Sequence, residues 1–321
     1  MSPQTRAIAE TPPGVHVDST QLGKTIHFIQ LDGGPHAVLL IHGLAGNVFE
    51  VMHVARSLHQ QGYTVRIPVL PGHGQSVAEL AQTRWQDWYQ AAEHHFEALC
   101  AGHAHVSVAG LCLGALLSLQ LAARQSTRVA SVVAMSTTLA YDGPAIPWYS
   151  FLLPLVLYTP LRRFWSYKEG GNYGIKNQGM RKRMSEKMGE RSRVAYSRTP
   201  AESIREMRSL MRSTKRRLRD ISAPTLILHA REDNVASPRN AHYLARRLGS
   251  SHVEKLILED CYHVITVDNQ KGLVASEAGR FIGERAAASP VPPCPGSGQP
   301  PRQTVNHAGL MLPLGTQIGA F

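Results

Sequence analysis

The stretch from His105 to Arg124, HVSVAGLCLGALLSLQLAAR, constrains the fold of this chain more than any other. It opens with β-branched residues at Val106 and Val108, and from Leu113 onward it is an unbroken run of helix formers. Gly110-Leu111-Cys112-Leu113-Gly114 lies between, so strand must pass to helix in about one residue, and the small residues on either side relieve the crowding of so sharp a turn. Such a turn lifts one side chain clear of the edge of a sheet. This is the geometry of a nucleophile elbow, here with Cys112 where serine is usual. A cysteine beside small residues is also what plain packing produces, so the motif gains meaning only from its neighbours.

Those neighbours alternate. Lys24 to Gln30 reads as a strand, Ala37 to Ile41 as a continuous apolar strand, Val51 to Gln60 as a helix and Thr64 to Leu70 as a strand. Ala78 to Cys100 reads as one helix whose heavy face is Trp85, Trp88, Tyr89 and Phe96, and Val129 to Met135 as a buried strand. The alternation stops near Tyr141 and resumes at Pro224 with strand Thr225 to His229, helix Ser237 to Leu248, strand Val253 to Leu258 and helix Asn269 to Arg285. Buried strands alternating with helices predict a mostly parallel sheet covered on both faces.

With Leu39-Leu40-Ile41-His42-Gly43-Leu44-Ala45-Gly46, Pro71-Gly72-His73-Gly74, the elbow, Leu226 to Asp233 and Tyr262-His263-Val264-Ile265-Thr266 in order, the chain resembles the α/β-hydrolase superfamily. Within it, the resemblance is to the bacterial carboxylesterase and monoacylglycerol-lipase-like branch, over roughly residues 24 to 285. It implies an α/β-hydrolase fold with an inserted helical cap, and an acyl-transfer site in the chain order nucleophile, acid, histidine. Cys112, Asp233 and His263 fall in that order, each just past the C-terminal end of a predicted strand, and in a parallel sheet those ends share one edge. Glu232 competes with Asp233 for the acid, and the family pattern favours the second of the two. The oxyanion donors implied are the backbone N–H groups of Leu44 and Leu113, with His42 and Gly43 shaping the loop and His73 in a structural turn.

Four segments are expected: an N-terminal arm over 1–23, a core over 24–140 and 221–286, a basic cap over 141–220, and a Pro/Gly-rich tail over 287–321. Residues 141–220 hold 18 of the 34 Lys and Arg against 7 of the 23 Asp and Glu, a balance of +11, and the rest of the chain cancels. Pro144 to Leu161 is apolar but broken by Pro147, Pro154 and Pro160, too short and interrupted to span a bilayer. As a lid edge it offers Trp148, Phe151, Leu152 and Leu155 to an acyl chain; the alternative is that it packs as ordinary core. The basic run beyond it, including Arg181, Lys182, Arg183, Lys215, Arg216 and Arg217, suits an acidic carrier such as CoA or an acyl carrier protein, or an anionic lipid surface. No base-reading motif accompanies the charge, which argues against nucleic acid. Cys100, Cys112, Cys261 and Cys294 show neither CxxC nor zinc spacing, and no signal peptide is evident, so no metal or cofactor and a cytoplasmic setting are expected.

Cysteine at the elbow widens the chemistry. A thiol at a helix N-terminus beside a histidine ionises more readily than a free one, and its acyl-enzyme is a thioester, which exchanges with other thiols at little cost. The members that resemble this elbow include dienelactone hydrolases and polyhydroxyalkanoate synthases. The resemblance therefore implies a Cys-dependent ester or thioester hydrolase, with an acyltransferase or condensing enzyme as the alternative and a non-catalytic binding protein as a third reading.

Overall fold

Four runs of apolar residues set the centre of the sheet. β3 (His36–Ile41), β6 (Val129–Met135) and β9 (Thr225–Ala230) are buried from end to end, and β5 (His105–Leu111) is buried after its first residue. The structure is a computed structural model that describes residues 15–19, 26–160, 162, 165–168, 174–189 and 198–288. Around those four strands lie β1 (Val15–Ser19), β2 (Ile26–Leu31), β4 (Thr64–Pro68) and β10 (Val253–Leu258), in the spatial order β1-β2-β4-β3-β5-β6-β9-β10. From β4 to β10 every pairing is parallel, whereas β2 joins β4, and β1 joins β2, antiparallel.

Each buried strand feeds two cores, because successive side chains point to opposite faces. Leu39, Ile41, Val106, Val108, Val132 and Ile227 pack under α3 (Trp85–Gly102), α4 (Leu113–Arg124), α7 (Ala201–Arg217) and α8 (Arg239–Arg247). Val38, Leu40, Ala109, Val133, Leu226 and Leu228 pack against α1 (Met52–Gln60) and α9 (Lys271–Ala288) on the other face. That is why these strands read as continuous apolar runs without polar alternation.

The segment expected as one helix from Ala78 is two, α2 (Val77–Gln82) and α3. Thr83 is extended, and its hydroxyl donates to Leu80 O (2.8 Å) and accepts from Trp88 Nε1 (2.9 Å), while Asp87 accepts from the Arg84 N–H (2.7 Å). Side-chain hydrogen bonds to the backbone end one helix and start the next, a competition that apolar spacing does not report.

The segment between β6 and β9 contains a 3-10 turn (Trp148–Leu152), α5 (Leu153–Leu157), the antiparallel pair β7 (Ser166–Lys168) and β8 (Arg198–Pro200), α6 (Gln178–Gly189) and α7. It is not uniform. α7 is a core helix, with Met207, Leu210 and Met211 in the same cluster as α3 and α4. The 3-10 turn Leu218–Asp220 follows it, shortly before β9 begins, and Leu218 O accepts from the N–H of Gly249, which precedes β10. Lys215, Arg216, Arg217 and Arg219 therefore stand at the edge of the sheet where its parallel strands start, opposite the edge where β5 delivers Cys112. Arg181, Lys182 and Arg183 lie instead on α6, whose start is tied to the loop carrying His263. The basic segment is thus two separate groups of charge.

No helix of the described residues is long and apolar enough to cross a membrane. Among the described residues, no cluster of His, Cys, Asp or Glu is arranged to hold a metal ion. The expected tail from Ser289, with Cys294, lies outside the described residues, as does the arm before Val15.

Candidate active site

Cys112 joins β5 to α4 with its backbone at φ 52 and ψ −104, a region L-residues enter at a cost of about 1–3 kcal/mol. The turn is fixed by Cys112 N–H donating to Met135 O (2.9 Å) on the next strand. The glycines two residues before and after it have steric reasons. A Cβ on Gly110 would lie 2.2 Å from the backbone of Gly114, and one on Gly114 would lie 2.1 Å from Ile41 O and 2.8 Å from His42 O. Strand, helix and the loop after β3 meet backbone to backbone here, and only hydrogen fits between them.

That loop abuts the elbow: a Cβ on Gly43 would lie 3.9 Å from both Cys112 Cβ and Leu111 O. Its shape is held from inside. His42 is fully buried; its Nε2 accepts from Leu70 N–H (3.3 Å), so Nδ1 carries the proton and donates to Gly43 O (2.9 Å). Burial pushes the pKa of His42 down to about 4, and that of His73, whose ring packs edge-on at 5.0 Å, down to about 3. Both are neutral structural rings. Glu50 accepts from Gly43 N–H (3.3 Å), and Ala45 turns the loop at φ 57. The N–H groups of Leu44 and of Leu113, the first residue of α4, have no acceptor among the described residues.

His263 and Asp233 meet across 30 positions of sequence, with His263 Nδ1 2.8 Å from Asp233 Oδ2 and 3.0 Å from Oδ1. Asp233 is buried and also accepts from the N–H groups of Val235 and Ala236, both at 2.9 Å. Burial alone would raise its pKa, but the charge and hydrogen bond of His263, with His229 and the Ala236 amide, outweigh it and hold it below the usual carboxylate range. For His263, burial opposes the charged ring, yet the Asp233 carboxylate and the proximity of Cys112 override it and set its pKa well above 6.5. Its outer nitrogen, Nε2, is buried without a nitrogen or oxygen partner, and the Cys112 side chain lies within hydrogen-bond reach of the ring. Glu232 points away into solvent and pairs with Lys176 Nζ (2.9 Å).

Several residues that no sequence signal singled out hold this pair in place. Ser136, at φ 45 just past β6, donates from Oγ to His263 O (2.6 Å), and Thr138 Oγ1 lies 3.3 Å from Cys112 Sγ. His229, buried behind Asp233 and kept neutral by that burial, donates from Nε2 to Ala236 O (2.7 Å). Gly174, at φ 68, accepts from Val264 N–H (2.8 Å), and a Cβ on it would lie 3.1 Å from His263 Cβ. Asp268 accepts from the N–H groups of Lys176, Asn177, Tyr262 and Asn269, tying the insertion to the His263 loop. Of the apolar insertion residues, Phe151 (67% exposed), Leu152 (46%) and Leu155 (65%) face outward, while Leu157 is buried against Ala201 and Ile204; the Trp148 side chain lies outside the described residues.

The chain is 28% identical over 255 residues to a thermostable monoacylglycerol lipase of Bacillus sp. (strain H-257), an alignment covering 79% of this chain and 93% of that protein. It is 26% identical over 251 residues to a carboxylesterase of Bacillus subtilis (strain 168), covering 78% and 93%. Among solved structures it superposes with TM-score 0.70 and 26% identity on a chain from the study of LipS and LipT, two metagenome-derived lipolytic enzymes, covering 80% of this chain and 97% of that one. The family model described as serine aminopeptidase, S33, matches residues 35–270. A match of that extent, over a sheet of this order with its elbow between β5 and α4, means that the chain belongs to the serine aminopeptidase S33 family of α/β-hydrolases.

Proposed function

We propose that the protein is an acyl ester hydrolase in which Cys112 is the nucleophile, His263 the proton carrier and Asp233 the group that orients and charges His263. The observation that carries the reading is the buried His263–Asp233 pair, whose ring has within hydrogen-bond reach the Cys112 sulfur held on a strained strand-to-helix turn. The lipase and carboxylesterase relatives support the ester class. Sγ gives its proton to Nε2 ahead of attack, a transfer that the raised pKa of His263 favours, the thiolate attacks the carbonyl carbon, and the N–H groups of Leu44 and Leu113 receive the oxyanion. Collapse expels the alcohol, which takes the proton from Nε2, and leaves an acyl thioester on Cys112. Water then attacks with Nε2 as base, releasing the acid and the free thiol.

A carboxylate below its usual pKa and an imidazole above it suit this sequence, because the imidazolium formed ahead of attack is stabilised by a fixed negative neighbour. Phe151, Leu152 and Leu155, exposed on the insertion, are the apolar surface it offers to an acyl chain. The test is hydrolysis of short p-nitrophenyl esters: Cys112→Ala should lower kcat by about a thousandfold or more, and intact mass should show an acyl adduct on the native chain only. Activity retained in the alanine variant sinks the assignment.

Sulfur as nucleophile supports a second reading, in which the acyl group arrives on CoA or a carrier protein and leaves to an amine, alcohol or thiol. Arg181, Lys182 and Arg183 support it, as positive charges on the helix whose start is tied to the His263 loop. Product formed from a short acyl thioester only when an acceptor is present selects transfer; product formed without one selects hydrolysis.

A further inference from the structure

The loop after β3 carries two glycines three positions apart, and one side chain lies against both. A Cβ on Gly46 would lie 2.0 Å from Glu50 Oε2 and 2.4 Å from Oε1, and one on Gly43 would lie 3.3 Å from the same Oε2. Neither glycine has a positive φ, so at Gly46 it is the carboxylate, rather than the turn of the chain, that excludes a side chain. Glu50 closes the 3-10 turn Val48–Glu50, whose start is capped by Asn47 Oδ1 accepting from the Phe49 N–H (2.8 Å), and its half-buried side chain folds back over the loop. Both polar groups of Gly43 are thereby taken. Its N–H donates to Glu50 Oε2 (3.3 Å), and its O accepts from His42 Nδ1 (2.9 Å) and from the Gly46 N–H (3.3 Å). A trans peptide is planar with N–H and C=O on opposite sides, so holding Gly43 O sets the direction of the Leu44 N–H. Of the two amides, that of Gly43 is spent on Glu50, and that of Leu44 has no acceptor among the described residues.

From this arrangement we infer that Glu50 is a positioning residue for the reaction: its carboxylate, seated over Gly43 and Gly46, takes the Gly43 N–H and stops the peptides on either side of that glycine from rotating, so that the Leu44 N–H is the one aimed at the oxyanion. The inference rests on Leu44 being the oxyanion donor and Cys112 the nucleophile, as proposed above. The charge of the carboxylate is not what helps. A Cβ on Gly43 would touch both Glu50 Oε2, at 3.3 Å, and Cys112 Cβ, at 3.9 Å, and a negative group so near the elbow repels an oxyanion. What Glu50 supplies is geometry, an acceptor fixed against the residue whose backbone has the most freedom to turn. The oxyanion exists only during attack, so the contact at stake is felt in kcat and not in KM.

The test compares native protein with Glu50→Ala, which empties the seat, and Glu50→Gln, which keeps an acceptor there without the charge. Hydrolysis of p-nitrophenyl esters by the full chain gives kcat and KM. Iodoacetamide labelling of the Cys112 peptide gives the reactivity of sulfur in a displacement that forms no oxyanion, and thermal unfolding shows that each variant is folded. Glu50→Ala should lower kcat by about ten- to a hundredfold with KM unchanged, less than the outright loss of an oxyanion donor, and should label at the native rate. Glu50→Gln should keep kcat within about threefold of native. A native kcat in Glu50→Ala, a loss in Glu50→Gln as deep as in Glu50→Ala, or labelling that slows along with kcat each overturns the inference, the last because the elbow itself would then have shifted. If Glu50→Ala unfolds early, Glu50→Asp takes its place, since it keeps the charge but stops one methylene short of Gly43: a lower kcat with native labelling supports the inference and a native kcat overturns it. Failure here is distinct from failure of the proposed function. Activity surviving Cys112→Ala removes the nucleophile, whereas an inactive Cys112→Ala beside a fully active Glu50→Ala removes only the role of Glu50.

Discussion

Replacing Asp268 with asparagine should both destabilise the fold and weaken catalysis, though Asp268 touches none of the reacting atoms. The side chain is 1% exposed and accepts four backbone N–H groups. Oδ2 receives Lys176 and Tyr262, both at 2.8 Å, and Oδ1 receives Asn177 at 2.8 Å and Asn269 at 2.9 Å. Asparagine keeps one acceptor oxygen and turns an NH2 toward the other two donors. Whichever way the amide sits, it breaks one bond to the insertion and one to the His263 loop. At about 1.5–3 kcal/mol for each bond to a charged group, the loss is about 3–6 kcal/mol. For a domain of this size that is a fall in Tm of about 6–20 °C. Loosening the strap lets the His263 ring drift, and a displacement of that kind lowers kcat/KM by about ten- to a hundredfold. Thermal unfolding and p-nitrophenyl ester hydrolysis read the two effects. A Tm within about 2 °C of native, together with unchanged kcat/KM, would refute the reasoning.

Gly114→Ala places a methyl 2.1 Å from Ile41 O, so the loop after β3 or the start of α4 must move; ester hydrolysis should collapse while circular dichroism still reports a folded chain. Retained activity would mean the elbow is not packed as described. Acid stability should follow the buried rings. His42 and His73 have folded pKa values of about 4 and about 3, below the unfolded 6.5, so the unfolded chain binds more protons and stability falls as pH drops from 6.5 through 4. Each ring contributes a slope of about 1.4 kcal/mol per pH unit in that window, read from urea midpoints; a flat midpoint between pH 6.5 and 4.5 contradicts it. His263 acts with the opposite sign. Its pKa is raised, so its contribution is complete below 6.5 and is lost as pH climbs through the folded value, and the stability gap between native and His263→Ala should close in alkali. A gap that widens there counts against the pairing with Asp233. Finally, reversing Arg181, Lys182 and Arg183 should raise KM for a carrier-borne substrate, whereas reversing Lys215, Arg216 and Arg217 at the far edge of the sheet should not; equal effects would dissolve the distinction between the two groups of charge.

The sheet was legible because burial on two faces demands unbroken apolar runs, and Ala37 to Ile41, Val129 to Met135 and Thr225 to His229 are such runs. The elbow was legible because two glycines around one residue answer a steric need visible in the sequence itself. The division of the basic segment was not. α7 carries Lys215 to Arg217 on the same helix as Met207, Leu210 and Met211, and a sequence shows charge beside apolar spacing without showing to which end of the sheet the helix runs. The break at Thr83 escaped for a related reason, since a hydroxyl accepting from Trp88 Nε1 leaves no periodic trace. Asp268, Ser136 and Thr138 act through hydrogen bonds that reach across 92, 127 and 26 positions respectively, and polar residues following a strand or preceding a helix are too common to mark such bonds in advance.

These same contacts bear on what cysteine means at the elbow. His263 is fixed by Asp233 through Nδ1, by Ser136 through its carbonyl, and by Gly174 through the next residue's N–H, and none of the three involves position 112. The His263 ring therefore stays in place whichever residue occupies position 112, and the positive φ there strains serine no more than cysteine. Cys112→Ser should accordingly leave Tm within about 2 °C of native, so that any change in rate is chemical. A hydroxyl holds its proton far more tightly than a thiol, so attack then depends on a neutral ring, and the raised pKa of His263 works against that. Ester hydrolysis by the serine variant should fall and its optimum should move to higher pH. A serine variant as active as native at neutral pH would show that the site gains nothing from sulfur.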